Sequence, residues 1–324
     1  MSTIFLTEQG SRLIRQGHAL SLVKDNEKLF VFPIENVSQI VILGRIEIST
    51  ALMGTLLSKG IDTIFLSRSG RLKGRLVGDI SKNIEVRELQ FLKSQQKKAV
   101  LDFSKHIVQA KAQNALRMLQ KRRSVPLDTF KSRLRNFKNT VDSVRSLDVL
   151  RGIEGNFSKI YFKIFPQLLT DDFGFAGRKK HPPTDPLNVL LSFGYTLLFQ
   201  NIYAQVYAAG LDPYKGFYHQ THYGHPALVS DLIEQFRAPF VDSLIITLIN
   251  RQQIRASHFE KDSKGVRFKK EGIKIFIEMY QKKLESRLLY NNLQLTYLQI
   301  IRAQVYHLVD CLKNDKPYKP FIYE

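Results

Sequence analysis

"QQKKAVLDFSKHIVQAKAQNALRMLQKRRS", residues 95–124, is the stretch on which the architecture turns. Val100, Phe103, Ile107 and Ala110 recur at the spacing that places apolar side chains on one face of a helix. Lysines and arginines fill much of the rest, and Pro126 follows as a stop. From about Glu85 onward such helical patterns dominate, with few strand signals until a possible pair near Val266 to Phe268.

Upstream of Glu85 the texture is different. "RLIRQGHALSLVK" and "KLFVFPI" are short alternating or apolar runs separated by "DNE", and "SQIVILG" follows. "STALMGTLLSKG" interrupts with helical periodicity, a Ser/Thr start and a Gly60 stop. "DTIFLS", the turn "RSGR" and "LKGRLVGD" then return to strands, which puts Arg12, Arg15, Arg68, Arg71 and Arg75 on turns or exposed faces. The reading is α+β: a small β-rich N-terminal domain over residues 1–84, then a larger all-α domain over 85–324.

A chain of 324 residues is long enough for two cores of that kind. Its 44% hydrophobic and 24% charged residues are those of an ordinary globular protein. No apolar run reaches the roughly 18 residues of a membrane span, and Met1 to Gly10 lacks the pattern of a signal peptide. The single cysteine, Cys311, excludes an internal disulfide framework and a cysteine-rich zinc site, so a reducing cytoplasm is the expected location. No internal repeat or low-complexity tract interrupts the chain.

Charge narrows the partner. There are 49 Lys and Arg against 29 Asp and Glu, a formal net charge of +20, and the pI is near 9.9. Such an excess attracts polyanions through phosphate contacts and counterion release. A merely solubilising surface is the alternative, and no basic amphipathic end segment points to a membrane surface. Acidic residues are sparse between Lys93 and Lys138, which favours phosphate contact by that helix. Nucleic acid is the expected partner.

Three stretches carry candidate chemistry. In "VRSLDVLRGIEGNFSKIYFKIF", residues 144–165, Leu147, Leu150, Phe157 and Tyr161 define one helical stripe, and Glu154 falls on it. A carboxylate on an apolar face is costly to bury unless paired or bound to a cation, so Glu154 is a ligand candidate; an ion pair with Arg151 is the alternative. Gly155 beside it would let a backbone or substrate approach closely. Next, Arg178, Lys179, Lys180 and His181 form a basic loop before Pro182 and Pro183, and Asp185-Pro186 opens a strongly apolar helix. The loop fits DNA-backbone contact or a solvated connector.

The third stretch, "GFYHQTHYGHPALVSDLIEQFR" (216–237), holds His219, His222 and His225, but Gly224 and Pro226 argue against one continuous helix. The glutamate of a HExxH metalloprotease is missing too. A helix starting near Pro226 buries Leu228, Leu232, Phe236 and Phe240, and puts Asp231 and Glu234 on a shared face. The alternative is an exposed acidic edge balanced by Arg237. Glu154, one histidine and Asp231 or Glu234 would give mixed oxygen and nitrogen ligands, suited to Mn²⁺ or Mg²⁺. A divalent ion beside a cationic surface implies phosphodiester chemistry. No Walker lysine loop is present.

"RGIEGNFSKIYF", "GRKKHPPTDPLNVLLSFGYTLLF", "GLDPYKGFYH" and "ALVSDLIEQFR", in this order, resemble the CRISPR-associated integrase-endonuclease family Cas one. "FPIENVSQIVILG" is similar to its N-terminal domain, so the resemblance spans the chain. It implies a β-sandwich-like domain joined to a helical catalytic domain, working as homodimers held with a Cas two protein on double-stranded DNA. It assigns the metal ligands to Glu154, His219 and Glu234, with Asp231 close behind as a supporting or second-metal group. Arg178, Lys179, Lys180 and Arg237 are then the expected DNA contacts. Tyr218 stands where leucine or isoleucine is usual and Gln235 where proline is common; neither departure touches a ligand.

The implied activity is insertion of short foreign DNA fragments into a CRISPR array, supported by Mg²⁺ or Mn²⁺. A fragment's 3′-hydroxyl attacks a phosphodiester at a repeat boundary and displaces another 3′-oxygen. One phosphodiester replaces another, so no ATP is consumed. Two other readings stay open at this level: a stand-alone metal-dependent nuclease or branched-DNA resolvase, and an architectural DNA-binding protein. The latter would explain the charge but not Glu154 on an apolar stripe.

Overall fold

The structure is a computed structural model; it describes residues 2–78, 83–122, 127–179, 183–263 and 265–323, without side chains at 127–131, 133, 134 and 262. The chain divides into two compact units, residues 1–80 and 81–324.

The first unit contains β1 (Ser2–Leu6), β2 (Ser11–Gln16), β3 (Ala19–Lys24), β4 (Glu27–Pro33), β5 (Val37–Leu43), β6 (Ile46–Ile48), α1 (Thr50–Ser58), β7 (Asp62–Leu66) and β8 (Leu72–Leu76). These strands make two four-stranded sheets, ordered β1-β5-β7-β8 and β4-β3-β2-β6. The β3–β4 hairpin turns through Asp25 (φ 50°) and Asn26 (φ 66°), the left-handed pair that matches the twist of its strands. Leu13, Leu20 and Leu22 of one sheet and Ile40 and Ile42 of the other share a core with Leu52 and Leu56 of α1. Helix α1 begins where the sequence placed it: the Ser49 side chain accepts a hydrogen bond from Leu52 N. Arg12, Arg15, Arg68 and Arg71 are exposed as expected. Arg75 is not: its side chain is only 10% exposed, because Nη1 pairs with Asp62 Oδ2 of the adjacent strand at 2.7 Å.

The second unit is helical: α2 (Ile84–Gln95), α3 (Lys97–Arg122), α4 (Leu127–Ser143), α5 (Leu147–Ile164), α6 (Pro186–Ala208), α7 (Ala227–Ile233), α8 (Ser243–Asn250), α9 (Lys270–Glu285) and α10 (Tyr297–Lys313). Two hairpins interrupt it, β9 (Phe259–Asp262) with β10 (Gly265–Phe268) and β11 (Arg287–Tyr290) with β12 (Leu293–Thr296). The first contains the pair expected near Val266; the second, RLLY and LQLT around Asn291 and Asn292, has no counterpart among the sequence expectations.

The decisive stretch is indeed one helix. α3 buries Val100, Phe103, Ile107 and Ala110, and ends at Arg122; Pro126, the expected stop, lies outside the described residues. α6 opens on Asp185, whose carboxylate accepts from Asn188 N at 2.8 Å, with Pro186 in its first turn. Apolar on all sides, it packs against α7, α10 and β10. Phe236, Phe240, Phe276, Tyr280 and Tyr297 are fully buried in this unit. No described helix is long and apolar enough to cross a membrane.

Candidate active site and family

Helix α5 starts at Ser146, whose side chain caps Val149 N, and turns Leu150, Phe157 and Tyr161 into the protein. Glu154 lies on the same stripe, with its side chain 21% exposed. Its expected alternative partner, Arg151, goes elsewhere: Nη1 pairs with Asp148 at 2.7 Å and Nη2 donates to Tyr218 O at 2.9 Å. Glu154 is instead paired with Lys111 of α3 and accepts from Ser158 Oγ at 2.8 Å. A Cβ on Gly155 would meet no protein atom within 4 Å, so packing does not require glycine there.

Glu234 occupies the short break between the end of α7 and a π-helical turn, Arg237–Asp242. π-turns inside helical segments recur at functional sites. Lys111 Nζ lies 2.8 Å from Glu234 Oε2, and Arg237 Nε lies 3.0 Å from Oε1. These are charge contacts only, since Glu234 Oε2 and Arg237 Nε are buried without a hydrogen-bond partner. Burial alone would raise the Glu234 carboxyl, but Arg237 and Lys111, with His219 adding less, bring it down to about 2. The same carboxylates keep Lys111 charged: burial opposes the ammonium, yet Glu234 and Glu154 hold its pKa above the ordinary lysine range.

His219 is fixed from below by Asp231. The Asp231 carboxylate, fully buried in α7, accepts from the backbone N–H of Phe217 (2.6 Å), Tyr218 (3.1 Å) and His219 (2.8 Å). It also accepts from His219 Nδ1 at 2.7 Å. With the proton on Nδ1, the imidazole presents Nε2 as its lone-pair nitrogen. Gly216 makes the clamp possible: a Cβ there would stand 2.8 Å from the Ala227 backbone and 2.9 Å from Asp231 Oδ2. Asp231 therefore faces the loop, whereas Glu234 faces Lys111, and the two do not share one face. His222 is exposed, whereas His225 bonds Ser230 Oγ at 3.0 Å and its ring centroid lies 6.5 Å from that of His219, so the histidines form a pair rather than a cluster of three.

Glu154, Glu234, His219, Lys111 and Arg237 line one cavity of about 710 Å³. Among the described residues no three acidic, histidine or cysteine side chains stand close enough together to hold a metal ion. The point of convergence is taken by the Lys111 ammonium. Farther along the same wall, Asp242 accepts from Tyr161 Oη (2.6 Å) and Tyr195 Oη (2.5 Å), and burial pushes its carboxyl up to about 6.

The expected DNA contacts separate. Arg178 is anchored rather than solvated: its guanidinium donates to Asn188 Oδ1 at 2.8 Å and Ser192 Oγ at 3.1 Å. Arg237 is paired with Glu234 and lies 4.5 Å from the Tyr195 ring centroid. Lys179 is exposed, and Lys180 lies outside the described residues.

Sequence reasoning missed Lys111, although a signal was there. It follows Ile107 by four residues and precedes Met118 by seven, so it is in register with the buried stripe of α3. A cation on an apolar stripe is the counterpart of Glu154 on α5. Asp242 and its two tyrosines left no such signal, because their meeting depends on the π-turn.

Residues 4–282 match the family model for CRISPR associated protein Cas1. The chain belongs to that family. It is 32% identical over 327 residues to a CRISPR-associated endonuclease Cas1 of Thermus thermophilus, covering 99% of this chain and 97% of the relative. Its fold is that of a CAS1 protein from Thermotoga maritima, with a TM-score of 0.85 at 24% identity over 100% of this chain and 99% of that one. It is likewise that of a casposase bound to integration product, with a TM-score of 0.87 at 21% identity over 100% and 95% of the two chains.

Proposed function

We propose that the 85–324 region joins DNA strands with a divalent ion held by Glu154, His219 and Glu234, inserting short DNA fragments into a CRISPR array. One observation carries the reading: two carboxylates from separate elements converge on a single buried positive charge, in a cavity that His219 also lines.

The residues fit such an ion on three counts. Glu234 Oε2 is a buried carboxylate oxygen whose neighbour is a cation, the Lys111 ammonium at 2.8 Å. The Lys111 ammonium stands in for a positive charge between the two carboxylates. Asp231 bonds His219 Nδ1, which leaves Nε2 available to an ion, the arrangement typical of metal-bound imidazoles. Mixed carboxylate and imidazole ligands suit Mn²⁺ or Mg²⁺. A bound ion of this kind supplies Lewis acidity to the phosphodiester and stabilises the leaving 3′-oxygen.

The chain's own groups do the rest. Asp231 orients the imidazole, and Arg237 adds positive charge beside the reacting phosphate. The exposed cations, Lys179 among them, hold the DNA backbone. The family implies double-stranded DNA, a second copy of the chain and a Cas2 protein as partners. The test is a strand-transfer assay with a labelled DNA fragment and a repeat-bearing plasmid. Joining is expected with Mn²⁺ and absent after chelation, and Glu154→Ala should abolish it while leaving DNA binding largely intact. Wild-type joining by Glu154→Ala would overturn the reading.

A further inference from the structure

α7 ends at Ile233 and the π-turn starts at Arg237, so Glu234, Gln235 and Phe236 lie where the regular helical ladder is interrupted. The backbone there needs outside support, and two buried side-chain amides give it. Asn114, on α3 one turn beyond Lys111, donates from Nδ2 to Gln235 O (2.7 Å) and Phe321 O (2.9 Å), and its Oδ1 accepts from Tyr323 N (2.8 Å). Gln235 donates from Nε2 to Leu232 O (3.1 Å) and Tyr318 Oη (3.0 Å), and its Oε1 accepts from Phe321 N (2.6 Å). Both donors and the acceptor of each amide are engaged, and both residues are 0% exposed. Phe321 also stacks on Phe236, with ring centroids 5.2 Å apart.

We infer that residues 317–323 are a strap that positions the Glu234 carboxylate, with Gln235 and Asn114 as its positioning residues. The inference rests on the reading of Glu234 as a metal ligand. The strap crosses behind the site, reaching the Glu234–Phe236 break and the Lys111 turn of α3 through the same two amides. It can therefore fix where both charges stand without entering the cavity. Groups that orient a metal ligand from behind are worth about 10- to 100-fold in metal affinity.

The experiment uses the full chain with Gln235→Met and Tyr318→Phe, measuring Mn²⁺ affinity by electron paramagnetic resonance of the free ion, thermal stability, and strand joining across Mn²⁺ concentrations. Gln235→Met removes all three amide bonds at similar volume. Tyr318→Phe removes one of the three, together with the bond from Tyr318 Oη to Gln304 Oε1, and keeps the ring against Phe103. Expected are Mn²⁺ affinities about 10- to 100-fold weaker for Gln235→Met and several-fold weaker for Tyr318→Phe, with joining recovered at high Mn²⁺. A remote core change, Ile277→Val, controls for lost stability and should leave Mn²⁺ affinity unchanged. Unchanged affinity in both strap variants, alongside a loss in Glu234→Ala, would overturn the strap alone. Unchanged affinity in Glu234→Ala would overturn the ligand reading and the strap with it. If Gln235→Met does not fold, Tyr318→Phe decides.

Discussion

Lys111 Nζ lies 2.8 Å from Glu234 Oε2, so a buried ammonium on α3 neutralises a buried carboxylate 123 positions later in the chain. The same ammonium reaches Glu154. Two carboxylates thus meet on one cation, at the position the proposed metal ion would take.

Lys111→Met should therefore act oppositely on the metal-free and metal-loaded protein. Without metal, two converging carboxylates lose a shared partner, and breaking a buried pair costs about 3–5 kcal/mol. With millimolar Mn²⁺ much of that loss should return, because the ion replaces the ammonium. Thermal melts with and without Mn²⁺ check this; a metal-induced rise in Tm no larger than the wild type's would refute it.

His219→Ala should abolish joining at ordinary Mn²⁺ concentrations, since the nitrogen that Asp231 orients is gone. His222→Ala should retain most of the wild-type rate, because that side chain is exposed and apart from the site. Titrating Mn²⁺ against joining for both variants separates them. Equal increases in metal requirement would show that the site uses more than one histidine.

Tyr218→Phe should stabilise the protein by about 1 kcal/mol without loss of activity. The Tyr218 hydroxyl is buried with no hydrogen-bond partner among the described residues, and such a group carries a desolvation cost. Urea unfolding of the two proteins measures the difference. A less stable Tyr218→Phe would show that the hydroxyl has a partner in solution.

Lys283 should make stability rise with pH above neutrality. Burial, with Arg122 adding to it, pushes its ammonium down from 10.5 to about 7. Between about 7 and 10.5 the unfolded chain binds the proton that the folded chain has released, so unfolding is disfavoured progressively as pH rises. Below about 7 both states are charged and the full burial cost remains. Lys283→Met should thus exceed the wild type by on the order of a few kcal/mol at pH 6, with the gap closing towards pH 10. Denaturation curves at pH 6, 8 and 9 test the sign.

Lys179→Ala should lower DNA affinity evenly across sequences and reduce the slope of log K against log salt by about 1, as one phosphate contact is lost. Arg178→Ala should chiefly loosen the loop, because its guanidinium bonds Asn188 and Ser192. Binding measured at several salt concentrations, together with Tm, distinguishes the two. An unchanged slope for Lys179→Ala would leave it a solvated side chain.

What the sequence determined by itself follows from local periodicity and backbone chemistry. The three- and four-residue spacing of Val100, Phe103, Ile107 and Ala110 made α3, the alternating runs before residue 85 made strands, and Ser49 and Asp185 started helices, because each signal acts within a turn or two of chain. Glu154 stood out on α5 since a carboxylate on an apolar stripe demands a partner wherever the helix packs. Which partner it finds was beyond local reading. Arg151 was near in sequence, but on the folded chain its guanidinium points to Asp148 and Tyr218 O, and Lys111 arrives from another helix. Tertiary packing likewise split Asp231 from Glu234: three residues apart, they share a helical face only if the helix continues, and α7 stops at Ile233. Asp231 then turns to the 217–219 backbone while Glu234 meets α3. The strap over Gln235 was just as hidden, since its hydrogen bonds join residues from 83 to 209 positions apart, and no local pattern records a contact at that range.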